Sequence, residues 1–146
     1  MGFEFDRTIL GREQELGTYY VDRKRMIDFA ISVGEDNPIY VDEKAAEAGP
    51  FGGLVGVPMF HSTLANTEMA PYVEIKYGTI SIAAGQDCEY CLPIRPGDVL
   101  TISCCIEDIY EKTGRSGSML FLIRRAVFTD SQGRKVLTLR HSSVFK

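Results

Sequence analysis

The sequence Val99-Leu-Thr-Ile-Ser-Cys-Cys-Ile-Glu-Asp-Ile-Tyr-Glu111 alternates apolar and polar side chains over much of its length. Its apolar positions recur two residues apart, at Leu100, Ile102, Cys104 and Ile106. Because successive side chains of a β-strand point to opposite faces of a sheet, these four side chains would share one face. The pattern predicts a long strand with one buried face.

Three further segments of strand-like composition surround this one, at residues 80–92, 118–128 and 135–145. The breaks between the four segments are rich in residues that favour turns, and they read Arg95-Pro-Gly-Asp98, Thr113-Gly-Arg-Ser-Gly117 and Asp130-Ser-Gln-Gly133. Such breaks are typical of hairpin connections. The second half of the chain therefore predicts an antiparallel sheet of four long strands.

The first half of the chain has helical spacing instead. After a short β-rich segment at residues 18–21, Asp22 is a candidate N-cap, and apolar residues then recur at helical spacing until Gly34. A short helix is predicted over residues 43–48. A second long helix is predicted over residues 58–70, and it is the only element long and apolar enough to lie across the sheet.

Helices followed by long strands indicate an α+β protein. The expected architecture is an antiparallel β-sheet wrapped around one long central α-helix. The length of 146 residues fits a single domain spanning residues 1–146.

Composition and charge exclude several classes of protein. The chain is 45% hydrophobic and 25% charged, with a formal net charge of −4, which does not fit a disordered chain or a nucleic-acid-binding protein. No apolar run approaches the roughly 18 residues of a membrane span, and the first residues lack the basic region of a signal peptide. We expect a cytoplasmic protein without membrane or nucleic-acid partners. Its four cysteines are expected to be free thiols, with no bound metal.

Three motifs in this order resemble those of the MaoC-like dehydratases, also called R-specific enoyl-CoA hydratases. They are Phe29-Ala-Ile-Ser-Val-Gly-Glu-Asp-Asn-Pro-Ile-Tyr-Val-Asp42, Phe51-Gly-Gly-Leu-Val-Gly-Val-Pro-Met-Phe60 and Arg95-Pro-Gly-Asp98. The resemblance implies a hotdog fold, in which an antiparallel sheet wraps around a long central helix. It also implies a substrate that is an acyl thioester of coenzyme A or acyl carrier protein, with no other cofactor.

The chain departs from the family pattern at three positions that carry its chemistry. Glu35 stands where the family has its catalytic aspartate, and Tyr40 stands where it has its catalytic histidine. The pKa of an unperturbed tyrosine is near 10, so Tyr40 is a poor base near neutral pH. Pro58 replaces the glycine whose N–H holds the thioester oxygen in the family, and proline has no N–H. Such a donor contributes about 3 kcal/mol to stabilising the transition state.

The resemblance marks Glu35, Tyr40 and His61 as candidate catalytic residues, with Glu35 and Tyr40 as degenerate equivalents of the family pair. It marks four further residues as candidate substrate contacts, namely Asn37, Val57, Pro58 and Met59. The altered motif is most similar to the non-catalytic, N-terminal-type (FAS1-like) dehydratase domain, a degenerate hotdog that packs beside a catalytic one.

Three functions remain open at the level of sequence. The first is the acyl-binding, catalytically degenerate subunit of a heteromeric 3-hydroxyacyl-thioester dehydratase or enoyl-CoA hydratase. The second is an active homodimeric hydratase that uses Glu35 with Tyr40 or His61, and the third is a non-enzymatic acyl-CoA-binding protein. All three predict a homo- or hetero-dimer or tetramer with another hotdog subunit, because a single hotdog leaves a sheet edge uncovered.

Overall fold

The second half of the chain forms long antiparallel strands, as the alternation of side chains predicts. The computed structural model describes residues 3–146. Its strands are β1 (Gln14–Tyr20), β2 (Ser81–Tyr90), β3 (Val99–Gly114), β4 (Gly117–Thr129) and β5 (Lys135–Phe145). Its α-helices are α1 (Arg23–Ser32) and α2 (Glu43–Ala48), and short 3-10 helices lie at Arg7–Ile9, Pro38–Tyr40 and Phe60–Thr63.

The two helices begin where side chains cap them. Asp22 accepts the N–H of Arg25 at 2.8 Å and so caps α1. Asp42 accepts the N–H of Ala45 at 2.8 Å and caps α2 in the same way. These bonds satisfy N–H groups that have no partner inside the helix, which is why both helices start where the sequence predicts.

All strand pairs of the five-stranded sheet are antiparallel, and the strand order is β1-β3-β4-β5-β2. Tight turns join β3 to β4 and β4 to β5, as predicted. The prediction of a hairpin at Arg95–Asp98 was wrong, because β2 pairs with β5 and β3 pairs with β1 and β4. After β2, the Ile94 carbonyl accepts the N–H of Gly56 at 2.8 Å, which ties this connection to the first half of the protein.

The core lies on one face of the sheet, against α1 and the irregular chain before β2. Every second residue of β3 is buried at its start, and Leu100, Ile102 and Cys104 are each 0% exposed. Met26 and Ala30 of α1 pack into the same cluster. The burial of alternate side chains confirms the strand pattern on which the fold prediction depends.

The structure corrects the prediction of a long α-helix over residues 58–70. Only Phe60–Thr63 form a single 3-10 turn, and the rest is irregular. Met59 takes a left-handed φ of 76°, which a right-handed helix cannot include, and no side chain caps the turn. Asn66 and Thr67 follow, and such residues have low helix propensity because their side chains compete for hydrogen bonds. The sheet therefore packs on an irregular segment and on α1 instead of on one long helix.

Among the described residues, both edge strands of the sheet, β1 and β2, are paired on one side only. β2 pairs with β5 on one side, and almost all of its residues are exposed. Ile80 and Ile82 are 55% and 54% exposed at its start. Separately, no helix within residues 3–146 is long and apolar enough to cross a membrane.

Candidate functional site

A largely apolar cavity of about 280 Å³ opens beside Pro58. The irregular chain before β2 forms one wall, and the end of β2 with the following residues forms the other. The residues that line it are Tyr40, Phe51, Val55, Gly56, Val57, Pro58, His61, Tyr90, Cys91, Leu92, Pro93 and Ile94. Four of the predicted site residues, Tyr40, Val57, Pro58 and His61, therefore meet at one place.

Asn37 and Pro38 place Tyr40 at this cavity. The Asn37 side chain accepts the N–H of Ile39 at 3.2 Å and caps the short Pro38–Tyr40 helix. Proline at the first position of this helix has no N–H that would need a partner. Tyr40 then packs half-buried against the main core. In this structure Asn37 orients the loop and does not line the cavity.

Glu35 lies apart from the cavity. Its carboxylate accepts the N–H of Asn37 at 2.9 Å, which stabilises the same loop. Glu35 is not among the residues that line the cavity, and no Asp or Glu within residues 3–146 lines it. The structure thus does not bring Glu35 and Tyr40 together as an acid–base pair around this space.

The arginine of the Arg95–Asp98 turn connects the two walls of the cavity. The Asp98 carboxylate accepts the Arg95 N–H at 2.8 Å, which closes the turn. The Arg95 guanidinium donates to the Phe51 carbonyl at 2.8 Å. The turn therefore holds Phe51 at the cavity, which gives this sequence motif a structural role near the site.

Pro58 and Met59 form a sharp bend at the cavity. Met59 has φ of 76°, a conformation that costs a residue with a side chain about 1 kcal/mol or more. Its N–H donates to the hydroxyl of Tyr90 at 3.2 Å. Its sulfur accepts a hydrogen bond from the side-chain amide nitrogen of Gln86 at 3.2 Å. The bond to Tyr90 and the contact with Gln86 are made to β2, so the bend is tied to that strand.

His61 is buried between two aromatic rings. It is 1% exposed, and its ring meets those of Tyr90 and Phe128 edge to face, with centroids 6.0 Å and 5.8 Å away. Neither ring nitrogen has a hydrogen-bond partner among the residues that the structure describes. Burial, with a further contribution from His141, lowers the pKa of His61 to about 4. His61 is therefore neutral near pH 7.

A second cavity, of about 360 Å³, lies on the other side of His61. It has a more polar wall, formed by Met59, His61, Ser62, Ala65, Asn66, Thr67, Glu68, Gln86, Leu139 and His141. His141 shares a hydrogen bond of 2.9 Å with the Thr67 hydroxyl, and burial lowers its pKa. Met59, a predicted substrate contact, lines this second cavity and not the first.

Sequence analysis missed Tyr90, Gln86 and His141. Tyr90 lies inside the strand segment predicted over residues 80–92 and carries no motif, so nothing in the sequence drew attention to it. Its partner Met59 is 31 residues earlier in the chain, a distance that no local pattern spans. Within residues 3–146, no group of three or more His, Cys, Asp or Glu residues is placed to hold a metal ion.

Comparisons with known proteins agree with this architecture. The family model described as FAS1-like, dehydratase domain region matches residues 8–139. A UPF0336 protein of Streptomyces coelicolor is 28% identical over 139 residues, which cover 91% of this chain and 89% of that protein.

Two solved structures from Mycobacterium tuberculosis have similar folds. The C-terminally truncated HadBC (3R-hydroxyacyl-ACP dehydratase) complex has a TM-score of 0.76 and 20% identity, over 97% of this chain and 99% of that chain. The ChsH1-ChsH2 complex has a TM-score of 0.75 and 20% identity, over 92% of this chain and 89% of that chain. At this identity the likeness shows the fold alone, and it confirms the predicted α+β hotdog fold.

Proposed function

Because this chain belongs to the FAS1-like dehydratase domain family, within the MaoC-like hotdog dehydratases, we propose that it is the acyl-binding, catalytically degenerate subunit of a two-part dehydratase. Its partner is a hotdog subunit with intact catalytic residues. The pair dehydrates 3-hydroxyacyl thioesters or hydrates enoyl thioesters. In this pair the present chain supplies fold, interface and part of the space for the acyl chain.

One observation carries this proposal, namely that the cavity beside Pro58 suits an acyl chain and lacks the groups that would transform it. Its walls are mostly apolar, and burying an acyl chain there is favoured by about 25 cal/mol per Å² of apolar surface. No carboxylate within the described residues 3–146 lines it. Tyr40 occupies the position of the family histidine, and Pro58 has no N–H to stabilise a developing oxyanion.

The state of His61 argues against the alternative of an active homodimer. A general acid or base must reach the proton that it transfers, within about 3 Å or through one water. Both His61 nitrogens are buried, and with a pKa of about 4 the ring holds no transferable positive charge near pH 7. His61 thus fills the wall between two cavities as a neutral ring.

The open edge at β2 supports partnership with another subunit. Its exposed backbone and the apolar side chains of Ile80 and Ile82 are features that proteins normally cover. The two similar structures from M. tuberculosis are complexes, HadBC and ChsH1-ChsH2. We therefore propose a dimer or larger assembly with an intact hotdog subunit.

Hydration of crotonyl-CoA, followed by the loss of enoyl absorbance, tests the division of labour. We expect no turnover by this chain alone and turnover once the intact subunit is added. Calorimetric titration of the chain with crotonyl-CoA is expected to show binding without turnover. Turnover by this chain alone at rates typical of enzymes would disprove the degenerate role.

A matched pair of variants tests whether the cavity beside Pro58 is the binding site. Phe51 lines it and is 42% exposed, so Phe51→Asp is expected to leave the fold intact and to weaken crotonyl-CoA binding. Ile31 is 61% exposed on α1 and does not line the cavity, so Ile31→Asp is the control and should bind normally. Equal binding by the two variants would place the ligand elsewhere.

A further inference from the structure

Tyr90 stands next to the place where Pro58 removes a backbone donor. Because Pro58 has no N–H, the first N–H after it in this bend is that of Met59. That N–H donates to the Tyr90 hydroxyl at 3.2 Å. Tyr90 lines the cavity and Met59 does not, so at this bend the side chain of Tyr90, rather than the Met59 N–H, is the donor group that belongs to the cavity wall.

The Tyr90 hydroxyl interacts with the thiol of Cys88, a weak acceptor that a carbonyl oxygen can displace. Its oxygen accepts the Met59 N–H. Burial raises the pKa of Tyr90; the Met59 N–H acts in the opposite direction, and Cys88 adds to the increase. The hydroxyl thus stays protonated near pH 7, and accepting one hydrogen bond strengthens its ability to donate another.

Tyr90 is 49% exposed, and its edge-to-face contact with the buried ring of His61 orients its ring on the cavity side. Most of the cavity wall is apolar. A carbonyl oxygen that enters such a space loses its bonds to water, and this is costly unless a donor replaces them.

We propose that the Tyr90 hydroxyl binds the carbonyl oxygen of an acyl thioester in this cavity, in place of the main-chain donor that Pro58 removes. This inference rests on the proposed acyl-binding function and assigns the atom that recognises the thioester. Tyr90 is then the residue by which the subunit distinguishes a thioester from a plain alkyl chain.

A pair of ligands that differ in one oxygen tests this assignment. Butyryl-CoA is a thioester, and S-butyl-CoA is the thioether with the same number of carbons and no carbonyl. By calorimetry, the unmodified chain is expected to bind butyryl-CoA about 3- to 10-fold more tightly, the effect of one hydrogen bond. Tyr90→Phe should bind both ligands equally, with its affinity for S-butyl-CoA unchanged.

The control is Tyr72→Phe, because Tyr72 is 76% exposed and does not line the cavity. It should keep the preference for the thioester. In the infrared spectrum, the carbonyl stretch of bound butyryl-CoA should shift to lower frequency in the unmodified chain and return towards its solution value in Tyr90→Phe.

The possible outcomes separate the two proposals. If the unmodified chain binds neither ligand, the acyl-binding function itself is wrong, and the role of Tyr90 falls with it. If it binds both and Tyr90→Phe keeps the preference, only the role of Tyr90 is wrong. Loss of the preference in Tyr40→Phe instead would assign the carbonyl to the other tyrosine of the cavity and overturn the proposal. Tighter binding of both ligands by Tyr90→Phe would show that Tyr90 obstructs the cavity.

Discussion

Strand β4 and the site segment (residues 54–67) bury similar side chains but are held in different ways. In β4, alternate residues are buried, and a hydrogen-bonded strand lies on each side. In the site segment, buried residues recur about every third position, but no strand ladder supports them, and the chain is held by separate bonds such as those of Met59 to Tyr90 and Thr67 to His141. Repeated local contacts thus fix the sheet, and individual long-range contacts fix the site.

Two phenylalanines of equal burial give the largest expected effects. Phe128 in β4 is 0% exposed, and Phe60 in the site segment is 1% exposed. Phe→Ala in a core costs about 3–5 kcal/mol, with less lost where the surroundings can collapse into the space. We expect Phe128→Ala to lower the free energy of unfolding by about 5 kcal/mol and Phe60→Ala by about 3 kcal/mol.

Denaturant titration of both variants measures these free energies. The control is Phe121→Ala, because Phe121 lies on the opposite face of β4, half-buried and stacked on Tyr110, and should cost less than either. If Phe60→Ala costs as much as Phe128→Ala, the site segment is as rigid as the sheet, and the contrast between them is lost.

His61 gives the next largest effect, through pH. Burial lowers its pKa to about 4 in the folded protein, against about 6.5 in the unfolded chain, so the unfolded chain binds the proton first as pH falls. Stability is therefore complete above about pH 6.5 and decreases as pH falls towards 4, by about 2–3 kcal/mol. The lowered pKa of His141 acts in the same direction.

Comparison with His61→Phe isolates this contribution. Phenylalanine has a similar flat ring, cannot titrate, and fits between the rings of Tyr90 and Phe128. Acidic groups such as Asp130 also have lowered pKa values, but they titrate at lower pH than the window from 6.5 to 4.5. The free energy of unfolding of His61→Phe should change less across this window. Equal pH dependence in the two proteins would contradict the burial of a neutral ring.

The same contrast decides what the sequence could predict. The strand residues at every second position, the Asp22 cap, and the meeting of Tyr40, Pro58 and His61 at one cavity follow from local patterns or from the family motifs. The long helix over residues 58–70 did not form, because Met59 is left-handed at its start and Asn66 and Thr67 have low helix propensity further along. Tyr90 could not be found, because its role depends on a contact with a residue far away in the sequence.

A glycine substitution at Met59 has the smallest expected effect on the free energy of unfolding, and this effect should differ in sign from that of glycine at a control position. Met59 has φ of 76°, so Met59→Gly removes a conformational cost of about 1 kcal/mol and retains the N–H that binds Tyr90. Ile31, exposed near the end of α1, is the matched control, and Ile31→Gly should lower the free energy of unfolding by about 0.5 kcal/mol. We expect Met59→Gly to leave that free energy unchanged or raise it by up to about 1 kcal/mol, since some buried surface of the methionine is lost.

Denaturant titration measures both changes. The free energy of unfolding should fall in Ile31→Gly and should not fall in Met59→Gly if backbone strain is concentrated in the site segment. A loss in Met59→Gly equal to that in Ile31→Gly would mean that the contact of the methionine with Gln86, and not its backbone, determines this bend.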